Sequence, residues 1–110
     1  MIIAKYKSKA DMGKAIKVLD RMQEADARSS DRAWQFKSKS TSKDGKKAKF
    51  IFKGEFKGQG GELIISPEPD KITINVKTDN SIEIITSRAL YYIAVYLRDV
   101  VSSIEWVLED

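Results

Sequence analysis

The residue type in this chain whose spacing could do chemistry is lysine. Eleven of the fifteen lysines recur at alternate positions in segments that read as strands. Lys5, Lys7 and Lys9 alternate with Ile2, Ala4 and Tyr6, and Lys37 and Lys39 alternate with Trp34 and Phe36. Lys47, Lys49, Lys53 and Lys57 share a parity opposite to Phe50, Phe52 and Phe56, and Lys71 and Lys77 oppose Ile72, Ile74 and Val76. Strand side chains point alternately to the two faces of a sheet. Segments of this kind in one sheet would give an oily face and a face of ammonium groups.

An ammonium group acts as a point charge that displaces a condensed counterion from a phosphate. Such a face therefore predicts salt-dependent contact with a phosphate backbone, largely blind to base sequence. Lysine in place of arginine argues against bidentate reading of guanine edges. The main candidates are Lys37, Lys39, Lys47, Lys49, Lys53 and Lys57, supported by Lys5, Lys7, Lys71 and Lys77. Lys43 and Lys46 lie in a polar span between two strands, at a tip that could close over a bound strand. The expected countercharges on this face are Glu55 and Glu83. Lysines on a solvated sheet face also discourage edge-to-edge aggregation, so the pattern alone has a purely structural reading as well.

Other chemistry is thinly supplied. The chain has neither cysteine nor histidine, which excludes disulfides, thiolate or imidazole metal ligands and an imidazole base. Glu68 and Asp70 flank Pro69, and Glu105, Glu109 and Asp110 gather near the chain end, but nothing in their spacing implies convergence on a metal. No nucleophile–base pair is evident. The expectation is a non-catalytic protein without a cofactor. Gly58-Gln59-Gly60-Gly61 invites a phosphate-loop reading, yet a strand-like Glu-Leu-Ile-Ile-Ser follows where a helix is required. A hairpin turn using positive φ is the expectation there. The aromatics Trp34, Phe36, Phe50, Phe52 and Phe56, interleaved with lysines, invite a base-stacking reading. Their parity opposes the lysines and the expectation is core, with Trp34 or Phe56 placed to reach an edge at a hairpin end.

The elements that must hold these residues follow from periodicity. A strand over Ile2–Ser8 leads to a helix over Lys9–Ala27, with Ser8 and Asp11 in a capping-box-like arrangement. Ala15, Val18, Leu19 and Met22 form its apolar face. Strands follow at Ala33–Thr41, Lys47–Lys57, Glu62–Ser66, Lys71–Thr78 and Ile82–Thr86. Ser87 is placed to cap a final helix to Leu108, striped by Leu90, Ile93, Ala94, Leu97, Val101, Ile104 and Leu108. The fold class is α+β: one domain over residues 1–110, with a mostly antiparallel sheet of about five to six strands and two helices on one face, in the order β-α-β-β-β-β-β-α.

Tyr91, Tyr92, Val95 and Tyr96 fall outside that stripe, so the first half of the last helix is apolar nearly all round. Packing between the two helices would cover it, as would a homodimer or another protein; Trp106 is a further contact candidate. The stretch from Arg32 to Leu108, read as a sheet followed by a long C-terminal helix, is similar in strand order to small single-strand-binding coactivator domains.

With 110 residues, 42% of them hydrophobic and 33% charged, the chain suits one soluble globular domain. Neither a signal peptide nor an apolar run of about 20 residues appears, so a cytoplasmic location is expected. The net charge of +4 is unevenly spread: residues 1–30 carry +3, residues 31–61 carry +6 and residues 62–110 carry −5. A basic middle joined to an acidic end makes a two-sided molecule. The leading expectation is a small nucleic-acid-binding or regulatory protein, with DNA and RNA both open. The alternative is an inhibitor or adaptor of the phage type that docks on a host enzyme through the tyrosine-bearing helix or the acidic end.

Overall fold

The computed structural model describes residues 1–8, 11–28, 34–44, 47–56 and 59–108. Its elements are β1 (Ile2–Tyr6), α1 (Asp11–Arg28), β2 (Trp34–Thr41), β3 (Ala48–Phe56), β4 (Gln59–Pro67), β5 (Lys71–Lys77), α2 (Ile82–Leu97) and β6 (Val101–Trp106). The strands form one six-stranded sheet in the order β2-β3-β4-β5-β1-β6, and every neighbouring pair is antiparallel. Consecutive hairpins build β2 to β5. The first strand then inserts between β5 and β6, so the first and last elements pair with one another.

Period-2 patterning decides which face is buried. Ile2 and Ala4 of β1 lie opposite Ile74 and Ile72 of β5, and Leu63 and Ile65 of β4 lie opposite Phe52 and Phe50 of β3. All eight side chains are buried. α1 packs over β2 and reaches β4, while α2 packs over β4, β5 and β6. Ala15, Leu19 and Met22 of α1 and Ile85, Ala89, Ile93 and Leu97 of α2 complete the core. Full burial of each large aliphatic side chain contributes about 1.5–3 kcal/mol before entropy is counted. The expected α+β class, with both helices on one face of an antiparallel sheet, is the observed architecture.

The C-terminal third differs from the periodicity reading. Residues 82–86 open α2 instead of forming a strand, and Val101–Trp106 is a strand instead of helix, so the order is β-α-β-β-β-β-α-β. The resemblance in strand order to single-strand-binding coactivator domains ends there, because no long helix closes the chain. Ser81, not Ser87, caps α2: its Oγ accepts from the Ile84 N–H at 3.4 Å, while the Ser87 hydroxyl donates back to the Ile84 carbonyl within the helix. The strand was hidden by a β-bulge. Lys5 lies opposite Ser103 but Tyr6 lies opposite Val101, so Ser102 is an extra residue. The bulge sets the inward-facing Val101 and Ile104 three positions apart, a spacing that mimics a helix.

The glycines of β4 also depart from expectation. Gly60 and Gly61 lie within the strand, and neither has a left-handed backbone. The β3–β4 turn falls instead between the paired Phe56 and Gln59, outside the described residues. A Cβ on Gly61 would sit 2.9 Å from Cγ2 of Ile85 and 3.0 Å from the Lys77 carbonyl oxygen. Glycine is required here because α2 rests directly on β4.

Candidate nucleic-acid interface

With both helices on one side, no described element covers the other face of the sheet. The ladders place its side chains in rows. One row runs from Ser103 to Lys5 and Lys71 on β6, β1 and β5, with Lys47 continuing the same parity just before β3. The next row carries Glu105, Ile3, Thr73 and Ser66, and reaches Lys49 and Ser40 on the far strands. A third contains Asn75, Ile64, Ile51 and Ser38. A fourth contains Lys77, Glu62, Lys53 and Gln35, with Lys37 beside them.

Lys5, Lys47, Lys49, Lys53 and Lys77 are exposed and Lys71 is half-buried. None of these six is ion-paired among the described residues. Lys5 and Lys71 stand directly opposite one another. Like charges in that position destabilise a sheet.

Glu62 is the residue that sequence reasoning missed. It accepts a hydrogen bond from Lys37 Nζ at 2.9 Å and lies opposite Lys53 on one side and Lys77 on the other. The Lys37 hydrogen bond, followed by the fields of Lys37, Lys77 and Lys53, holds its carboxyl below the usual range. Its parity, opposite to Leu63 and Ile65, was the available signal. Glu83, expected as a countercharge here, lies in α2 and not on the sheet.

The row ends in a shallow depression whose lining includes Lys53, Glu62, Lys77, Thr78 and Asn80. The Thr78 hydroxyl donates to the Gly60 carbonyl at 2.6 Å and the Asn80 amide does so at 3.3 Å, which anchors its rim.

Lys39 is not part of this face. β2 carries a bulge of its own: Phe36 lies opposite Phe52 and Ser38 opposite Ile51, leaving Lys37 as the extra residue. Parity flips beyond it, and Lys39 turns to the helix side. Its Nζ lies 2.8 Å from Asp20 Oδ1 of α1 and 5.1 Å from the centroid of the Phe50 ring.

Lys7 is exposed just past the end of β1, and Lys43 is exposed at the β2–β3 tip, which the Ser42–Lys47 pair closes. Lys46 and Lys57 lie outside the described residues, as do the side chains of Phe36 and Phe56. Trp34, Phe50 and Phe52 are buried core residues, so among the described residues the open face presents no aromatic platform.

The protein-contact candidates divide. Tyr92 is buried, 8% exposed, with its ring 6.3 Å from Trp34, 6.0 Å from Phe52 and 4.9 Å from Tyr96. It belongs to the helix–sheet core, and Tyr96 is half-buried beside it. Trp106 is half-buried on β6, beside Ile82, Thr86 and Leu108. Tyr91, 74% exposed, and Val95, 46% exposed, face outward from α2, as does Ile84.

No protein-family model, curated protein or solved structure matches the chain. Among the described residues, no cluster of His, Cys, Asp or Glu is placed to hold a metal ion, and no helix is long and apolar enough to cross a membrane.

Proposed function

We propose that the protein binds nucleic acid through its uncovered sheet face, without catalysis, by contacts to the phosphate backbone. The observation that carries this reading is the separation of faces. Both helices cover one side of the sheet, and Lys5, Lys49, Lys53, Lys71 and Lys77 project from the other without ion-pair partners among the described residues. Lysine contacts to phosphate oxygens position a backbone but carry little base information, so the expected binding is sequence-tolerant.

Fluorescence anisotropy with labelled oligonucleotides across a salt series tests it. Affinity should fall steeply with salt, with roughly one counterion released per phosphate contact. Changing Lys47, Lys49 and Lys53 together to Glu should abolish binding while the melting temperature stays near that of the parent. Absence of binding at low salt would remove the proposal.

A second reading rests on a separate observation. Ile84, Tyr91 and Val95 form an exposed line along the outer side of α2, and tyrosine is favoured at protein interfaces. Under that reading α2 docks on a partner protein or a second copy. Light scattering over a concentration series tests the second-copy form, with Tyr91→Glu as the control that should restore a monomeric mass.

A further inference from the structure

We infer that the occupant of the open face is a double-stranded nucleic acid lying across the strands with a groove toward the sheet. This rests on the nucleic-acid reading above and specifies its substrate. The lysines do not form one continuous field. They form two bands at opposite ends of the strands. Lys5, Lys71 and Lys47 make one, with Lys49 a single row inside it; Lys77, Lys53 and Lys37 make the other.

Two strands measure the gap directly. Lys71 and Lys77 stand at the two ends of β5, and Lys47 and Lys53 are equally far apart along β3. Six residues of antiparallel strand span about 20 Å. Between the bands the face holds the uncharged Ile3, Ile51, Ile64, Ser66, Thr73 and Asn75, with Glu105 on the β6 edge and Lys49 on β3 as the charged groups of the inner rows.

A single strand needs one track of cations, and sequence-tolerant single-strand sites add aromatic side chains on which bases stack. Here the cations are split, and the described part of the face has no aromatic ring. A duplex presents two phosphate backbones on either side of a groove. The B-form major groove is about 12 Å wide, and the flanking phosphates bring the backbone centres to roughly 18 Å apart. Flexible lysine side chains absorb the remaining difference. The wide, shallow minor groove of an A-form duplex offers the same two-railed geometry, with 2′-hydroxyls for Ser66, Thr73 and Asn75 to meet. One band crosses the sheet from β1 to β3 and the other from β5 to β2, each a lateral reach of about 14 Å at the usual strand spacing. That suits a duplex axis perpendicular to the strands.

The test compares a blunt 16-base-pair DNA duplex, the matching RNA duplex and each single strand, at one salt concentration. The paired variants are Lys5→Glu with Lys71→Glu in one band and Lys53→Glu with Lys77→Glu in the other; Lys→Gln versions and thermal melts control for folding. The expected result is duplex binding at least about tenfold tighter than single-strand binding, and loss of about tenfold or more from either pair. Preference between the two duplexes then distinguishes B-form from A-form. Equal or tighter binding of single strands, or insensitivity to one of the two pairs, overturns the duplex inference and leaves phosphate binding standing. No binding of any oligonucleotide overturns both.

Discussion

At the residue scale, two neighbouring lysines of β2 have opposite destinies because one extra residue separates the faces they point to. Lys39 lies between Asp20 and the Phe50 ring on the helix side. Replacing it with Ala should lower stability by about 0.5–1 kcal/mol, the sum of a solvent-screened ion pair and a weak cation–π contact, and leave nucleic-acid affinity unchanged. Lys53→Ala should do the reverse, and denaturant melts beside anisotropy titrations would expose any failure of that contrast. Glu62 acts against the proposed function, since its carboxylate holds Lys37 and faces Lys53 and Lys77. Glu62→Gln should therefore tighten phosphate binding and steepen its salt dependence. Its pKa is depressed, so the wild-type carboxylate stays charged through the ordinary range and becomes neutral only at lower pH. The affinity gap between variant and wild type should close as pH falls through that folded-state pKa, and a gap that persisted there would contradict the assignment. Tyr6 gives a test at the alkaline end. Burial, then the nearby Glu68 and Asp70 carboxylates, push its phenol up to about 12 from 10.0. Between those values the unfolded chain loses the proton and the folded chain keeps it, so stability falls as pH rises above 10. The melting temperature should drop there in the wild type and less steeply in Tyr6→Phe.

At the element scale, the strands read correctly where pairing is regular and wrongly where an edge strand is bulged. β3 and β5 keep strict alternation, and their boundaries and faces match the sequence reading within a residue or so. β2 and β6 are the two edges of the sheet, and each contains one extra residue against its neighbour. The β6 bulge at Ser102 turned a period of two into an apparent helical step; the β2 bulge at Lys37 sent Lys39 to the other face. Periodicity cannot locate a bulge, since the inserted residue is selected by the partner strand. The start of α2 was obscured for a different reason: Ile82, Ile84 and Thr86 are β-branched and alternate, yet Ser81 can cap them and the sheet needs a helix to cover it. Ser81→Ala should cost about 1 kcal/mol, whereas Ser87→Ala, on the exposed side of the helix, should be near neutral. Gly61→Ala should destabilise by about 1–3 kcal/mol, because Ile85 must shift off β4. Thermal melts of the three variants check this ranking, and an unchanged Gly61→Ala protein would contradict the close approach of α2 to β4.

At the scale of the whole molecule, a six-stranded sheet with helices on one side has a second face, and its charges must be judged together. Lysines, two rows of small or aliphatic side chains, and the carboxylates of Glu62, Glu55 and Glu105 share it. Raising salt from about 50 to 200 mM should weaken oligonucleotide binding by orders of magnitude if several phosphates are met at once, and by far less if only one lysine band engages. The slope of log affinity against log salt is the measurement that separates these cases. Composition and alternation by themselves determined the class of fold, the identity of most core residues and the presence of a cationic parity, because burial of alternate side chains acts within each segment. The tertiary structure alone decided which lysines share a surface, how they divide into two bands, that Glu62 stands among three of them, and that Tyr92 is core while Tyr91 is exposed. Those properties depend on strand order, register and bulges, which arise from contacts between segments far apart in the chain.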